Sequence, residues 1–281
     1  MSIELVENRY GKCRVRMVKV ERQASRHHLK DLSVDIQLGG DFAAAYVDGD
    51  NREVVPTDTM KNTVYALARR QPLGEIEEFG QRLAEHFVSR NPQVASACIS
   101  ISQNSWSRIR TGGQEHDHAF VRSGEELRTA VIHRDRSGFE VKAGIADLVV
   151  LKTSRSAFEG FARDEYTTLK ETRDRLFGTA IRAEWTYAPG AHDYGALWHK
   201  ARAAMLEVFA SHDSRGVQHT LHETGKTVLE RIPEATRIEL SMPNRHCLLV
   251  DLTPFGLDNP NEVLVPTEEP YGLIEAVLTR S

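Results

Sequence analysis

With 281 residues, 40% hydrophobic and 27% charged, the chain has the length for about two ordinary domains and the balance of a globular protein, which speaks against wholesale disorder. Its 36 Lys+Arg against 40 Asp+Glu leave a net charge of -4, so nothing general in its electrostatics favours nucleic acid or an anionic membrane. The longest apolar runs, such as Leu148 to Leu151, are too short to span a bilayer, and the scattered Cys13, Cys98 and Cys247 lack CxxC spacing, which fits a reducing cytosol and no zinc ribbon.

The first element opens near Tyr10. Lys12, Arg14 and Arg16 alternate with Cys13, Val15 and Met17, which predicts a strand with one basic and one apolar face. Leu32 to Leu38 reads as its partner across a turn near Ser25 to Lys30, and Gly39-Gly40-Asp41 ends the ladder. Thr57 or Asp58 then offers a helix cap, and Met60, Val64, Leu67 and Ala68 lie on one helical face up to Gln71-Pro72. A second helical stripe runs through Ile76, Phe79, Leu83 and Phe87 to Asn91-Pro92. Alternation returns at Ala97, Ile99 and Ile101, with further strand candidates at Ala119 to Val121 and Arg128 to His133.

The second half repeats this order. Phe139 to Thr153 is β-rich, and Ile181, Ala183, Trp185 and Tyr187 alternate with polar neighbours. A helix capped by Asp193 places Tyr194, Leu197, Trp198, Ala201, Met205, Val208 and Phe209 inward, and another covers about Ser214 to Glu230. Strands follow at Ile238 to Met242, Cys247 to Leu252 and Gly272 to Leu278. Each half therefore reads strand, strand, helix, helix, strand, strand. Strand pairs on short turns predict antiparallel sheet with helices on one face, an α+β class. The boundary falls at Arg136-Ser137-Gly138, giving units 1–137 and 138–281.

Several stretches, in order along the chain, resemble urate oxidase (uricase), a family that oxidises urate without a cofactor. They are Tyr10-Gly11-Lys12; Thr57-Asp58-Thr59-Met60-Lys61-Asn62-Thr63-Val64-Tyr65; Leu151-Lys152-Thr153 with Phe158-Glu159-Gly160-Phe161 and Arg163 to Thr172; Ser241-Met242-Pro243-Asn244-Arg245-His246; and Pro270-Tyr271-Gly272-Leu273-Ile274. Each alone is weak and together they are specific. The resemblance implies two tandem tunnelling-fold (T-fold) units, each a four-stranded antiparallel sheet with two helices on one face. It further implies a barrel formed by subunit pairing, a homotetramer, and active sites at subunit interfaces.

The same resemblance implies the site. Urate is flat, electron-rich and anionic, and its oxidation needs a stacking surface, edge pairing, loss of a second proton and a place for O2. Phe158 matches the stacking residue, where an aromatic face contributes on the order of 1 kcal/mol. Arg175 matches the guanidinium that forks onto the urate edge, and Gln218 the amide on the opposite edge. Val217 would offer its backbone N–H from a helix start, as would Asp58. Lys12 and Thr57 match a proton-relay dyad, and His246 a third member. A lysine that accepts a proton must first be neutral, and burial near Arg14 and Arg16 would favour that form. Asn244 matches the amide that holds O2 and then water above the ring. Outside these motifs the same residues read as a core Phe, solvated Arg and Lys, a helix cap, an exposed Gln and a turn Asn. Arg163 and Arg173 are expected to be solvated.

His116 and His118 share a strand face, and His27-His28 add two more rings, but no spaced third ligand completes a metal set. Neither metal nor cofactor is expected, and the pair reads as structural or as an interface hydrogen-bond site. The chain ends Leu278-Thr279-Arg280-Ser281, unlike a peroxisomal Ser-Lys-Leu tail, and Met1 to Tyr10 is no secretory signal, so a cytoplasmic protein is expected. His222 stands where relatives commonly carry an aromatic, which bears on packing. The expected partners are urate and O2, with neither nucleic acid nor membrane. Two other readings are a zinc-dependent T-fold enzyme of the pterin synthase or cyclohydrolase kind and a non-catalytic purine-binding oligomer.

Overall fold

The fold is that of a computed structural model in which residues 3–280 are described; Met1, Ser2 and Ser281, which enter the readings of the two chain ends, lie outside them. The chain divides into two compact units, Met1–Gly144 with Thr186–Gly195, and Ile145–Trp185 with Ala196–Ser281. The first half contains strands β1 (Arg9–Gln23) and β2 (Arg26–Gly40), helices α1 (Ala43–Val47), α2 (Thr57–Arg70) and α3 (Ile76–Arg90), and strands β3 (Val94–Thr111) and β4 (Gln114–Asp135). The second half contains β5 (Gly138–Lys152), β6 (Phe177–Tyr187), α4 (Tyr194–Ser211), α5 (Val217–Arg231), β7 (Ala235–Ser241), β8 (Asn244–Leu249), β9 (Leu264–Gly272) and β10 (Glu275–Thr279).

In the first unit β1, β2, β3 and β4 pair antiparallel in chain order. Leu32, Val34, Ile36 and Leu38 are fully buried on one face of β2, and Ile36 sits opposite Ile99, which sits opposite Ile132. The period of two in the sequence is thus the core face, and α2 and α3 cover it with Met60, Val64, Phe79, Leu83 and Phe87. Strands β5, β6, β7 and β10 run side by side in the second half, with β10 antiparallel to β7. Helix α5 lies so close to that sheet that a Cβ on Gly225 would come within 2.7 Å of a Leu240 methyl. This is the α+β architecture of two tandem T-fold units.

The structure also corrects local expectations. The two strand candidates in 119–133 belong to one strand, β4, because pairing with β3 holds up to Arg122 and resumes at Leu127 across a register shift between Asn104 and Trp106. Helix α5 begins at Val217 and not at Ser214, because Ser214 bridges to Ser156 instead. The short helix α1 and strand β9 were not expected; five residues carry too little periodicity, and β9 holds two prolines, Pro266 and Pro270, that disguise a strand.

Candidate active site

The first group of site residues gathers where β1 meets α2. Simple alternation would put Lys12 and Val15 on opposite faces of β1. A β-bulge between them changes this: Lys12 pairs with Ile36 and Val15 with Val34, so both point to the helix-covered face. The basic face expected for Lys12, Arg14 and Arg16 therefore does not exist. Arg14 occupies the bulge at φ +56°, and its backbone N–H donates to the Asp35 carboxylate. Arg16 turns to the other face and pairs with Asp31 at 2.5 Å, so its charge is already met. Bulges commonly re-aim a side chain beside a functional site, and this one sends Lys12 toward the helix layer. Gly11 makes the approach feasible, since a Cβ there would collide with the Ile36 carbonyl.

Thr57 is the first residue of α2, and the cap position is Pro56, so neither Thr57 nor Asp58 is the cap. The reason is local. Pro56 holds φ at -55° and leads directly into the helix, while Asp58 turns forward to Lys61 and to Asn62 at 2.8 Å. Without a side-chain cap, the first backbone N–H groups of α2 point outward at the positive end of the helix dipole. The Asp58 carboxyl is held below its usual range, chiefly by the Lys61 hydrogen bond, with Lys12 among the contributing charges. The pairing of Lys12 with Ile36, together with the packing of β1 against α2, sets Lys12 on the α2 side of the sheet. Among the described residues neither Thr57 Oγ1 nor Lys12 Nζ makes a hydrogen bond.

The second group gathers around Gly216 in the other unit. Phe158 lies on an irregular segment, not in the core, and exchanges backbone hydrogen bonds with Thr172 at 2.8 and 3.1 Å. The Arg175 guanidinium stands 5.4 Å from the Phe158 ring centre. Arg175 N–H donates to the Ser156 carbonyl at 2.9 Å, which joins the two segments. Burial works against the charged guanidinium, and among the described residues its Nε is enclosed without a hydrogen-bond partner. Such an atom is ready to pair with an acidic or carbonyl edge. Gln218 arrives from the first turn of α5; a Cβ built on Gly216 would lie 3.5 Å from both Gln218 Oε1 and Phe158 Cδ2. Val217 is buried, and α5 has no side-chain cap, so its first N–H groups are also unspent. The arrangement offers a flat face, a cationic fork and an amide within one small region. Arg163 and Arg173 are exposed and pair with Glu171 at 3.5 Å and Glu159 at 3.1 Å.

Two supports of this group left no periodic signal in the sequence. The Asp174 carboxylate accepts from Ser154 Oγ at 2.7 Å and Ser156 N at 3.3 Å, which holds its pKa down. Buried Ser214 binds the Phe158 segment through Ala157 N–H at 2.7 Å, while its hydroxyl donates to the Gly216 carbonyl at 3.1 Å and accepts from Thr220 Oγ1 at 2.8 Å. Asp174 stands between Arg173 and Arg175 in the sequence, and Ser214 three residues before the α5 start.

Asn244 and His246 lie on β8, where the register against β9 shifts between them. Asn244 faces Gly272, and the Thr267 hydroxyl donates to the His246 carbonyl at 3.2 Å. Among the described residues no hydrogen bond or ring contact joins this pair to the Phe158 group. The His116 and His118 rings sit edge to face at 4.5 Å, with His27 5.8 Å from His118. Among the described residues no three His, Cys, Asp or Glu side chains are grouped to hold a metal ion. Nor is any described helix long and apolar enough to cross a membrane.

Comparison with known proteins bears on these groups directly. A uricase family model matches residues 8–133 and 141–275. The chain is 46% identical to the uricase of Arthrobacter globiformis over 279 residues, covering 99% of this chain and 91% of that protein. It is 40% identical to the uricase of Dictyostelium discoideum, covering 99% of this chain and 98% of that protein. The crystal structure of the Arthrobacter globiformis uricase superposes with a TM-score of 0.95, covering 100% of this chain and 96% of that one.

Proposed function

The chain belongs to the uricase family, and from this we infer that it is a urate oxidase converting urate, O2 and water to 5-hydroxyisourate and hydrogen peroxide. The observation that carries the reading is the family match over nearly the whole chain, with Phe158, Arg175 and Gln218 drawn around Gly216. In this reading Phe158 stacks on the purine, Arg175 forks onto one edge and Gln218 pairs with the other. The N–H groups of Val217 and Asp58 complete the polar rim. Thr57 and Lys12 carry away the second proton, leaving a urate dianion able to give electrons to O2. The substrate thus supplies the electrons that a bound cofactor supplies in most oxidases. Two electrons and two protons convert O2 to H2O2, through a dehydrourate or peroxide intermediate near Asn244. Water then adds its oxygen at C5 with proton transfer through His246.

The assembly follows from the same reading. Two T-fold units, 1–137 and 138–281, form a barrel on pairing of subunits, and two barrels stack into a homotetramer. The Lys12–Thr57 group of one subunit then completes the Phe158–Arg175–Gln218 group of another. A cytoplasmic location fits the scattered, unpaired cysteines.

Incubation of the assembled protein with urate in air tests the activity. Urate absorbance should fall while peroxide appears in equal amount, and an assembled tetramer that leaves urate intact rejects the reading. Arg175→Ala should raise KM by roughly 10- to 150-fold with kcat within a few-fold, because a charged hydrogen-bond partner contributes about 1.5–3 kcal/mol. An unchanged KM would remove Arg175 from the binding set.

A further inference from the structure

We propose that Tyr10 is a positioning residue, holding Thr57 in register with Lys12 by gripping both backbone groups of Val55. The inference rests on Lys12 and Thr57 being the proton-relay dyad. The Tyr10 hydroxyl accepts from the Val55 N–H at 2.7 Å and donates to the Val55 carbonyl at 3.1 Å. A phenol has one proton to give, so the Val55 carbonyl takes it. Both hydrogen bonds of this hydroxyl thus go to a single residue.

The spacing is what makes this grip relevant. Tyr10 lies two residues before Lys12 on β1, and Val55 lies two residues before Thr57. Pro56, with its restricted φ, is the one residue between Val55 and Thr57. A displacement of Val55 is therefore passed to Thr57 with little slack. The Tyr10 ring is itself held, edge to face against Phe42 with centres 4.8 Å apart, and Phe42 is buried. Burial also raises the phenol pKa, which keeps the donated proton in place. The loop has another anchor, Gln93 Nε2 to the Glu53 carbonyl at 2.8 Å, so loss of the Tyr10 hydroxyl does not free it entirely. Tyr10 acts through Val55 and touches neither urate nor O2.

The test is a double-mutant cycle on the assembled full-length enzyme with Tyr10→Phe, Lys12→Met and both together. Tyr10→Phe keeps the ring and removes only the hydroxyl. It should lower kcat by about tenfold or more with KM for urate within about threefold, since small misplacements of reacting groups cost up to about 100-fold. In the Lys12→Met background the same change should cost nothing further. Full kcat in Tyr10→Phe, alongside a loss in Lys12→Met, overturns the proposal and leaves the dyad standing. Full kcat in Lys12→Met overturns the dyad, and the proposal with it. Losses that multiply in the double variant also overturn it, because a general structural effect would do that. Should Tyr10→Phe not assemble, Pro56→Ala loosens the link between Val55 and Thr57 while leaving the Tyr10 grip in place. It should lower kcat with KM for urate within about threefold, and full kcat in that variant overturns the proposal.

Discussion

Lys12→Met should lower kcat by about 10²- to 10⁴-fold while leaving KM for urate within a few-fold, because a positioned proton acceptor contributes that much to the rate and little to ground-state binding. The expectation rests on geometry as well as motif. The bulge at Lys12–Val15 turns the Lys12 side chain to the helix side of the sheet, the side on which α2 packs. Thr57→Ala should fall in the same direction, and the double variant should be little worse than the worse single one, since two members of a relay act as a unit. Steady-state urate consumption measures all three. A Lys12→Met enzyme with full kcat would show that the proton leaves by another route. Asp35→Ala offers a separate check on the bulge: loss of the carboxylate that receives Arg14 N–H should reduce kcat without weakening urate binding.

Arg128→Met should destabilise the protein by about 3–5 kcal/mol, measured by denaturant unfolding at fixed protein concentration. Glu77, in the first turn of α3, is 0% exposed, and Arg128 on β4 is 6% exposed. Arg128 joins Glu77 Oε2 at 2.7 Å and Glu75 Oε2 at 2.5 Å, and Glu75 also forms the capping box of α3 with Glu78. Removing the guanidinium strands a carboxylate inside the core. Burial already pushes the Glu77 pKa upward despite Arg128, which opposes that shift. A carboxyl whose folded pKa lies above its unfolded value contributes stability below the unfolded value and loses it as pH rises through the folded one. The deficit of Arg128→Met should therefore grow from acid toward neutral pH. Adding Glu77→Leu should recover most of it, because an apolar pair avoids desolvating charge. If Arg128→Met unfolds like the parent at neutral pH, the pair does not carry the α3–β4 contact.

Much of the architecture was legible because burial leaves a period. Met60, Val64 and Ala68 mark the buried side of α2, and Leu32 to Leu38 mark that of β2, with the spacings their elements require. The order of elements repeated between halves for the same reason. Bulges, caps and bridges carry no such period. Lys12, Arg14 and Arg16 look like a uniform strand face until the pairing with β2 shows one residue too many on their own strand. Pro56 displaces Thr57 and Asp58 from the cap, and Ser214 leaves the helix to hold the Phe158 segment. The site residues stand out through family motifs and not through any periodicity of the chain.

Composition and periodicity alone determined a globular α+β chain in two similarly built halves, because burying apolar faces constrains every strand and helix along its length. The motifs added the family. Tertiary structure decided how the functional groups are aimed: Lys12 toward the helix layer, Arg175 beside the Phe158 ring, and the unspent N–H groups of α2 and α5 at their termini. Those choices depend on contacts between residues far apart in the chain, such as Tyr10 with Val55 and Phe158 with Thr172. A one-dimensional pattern records which residues are buried, but which partner each polar group meets is set only when the chain closes on itself.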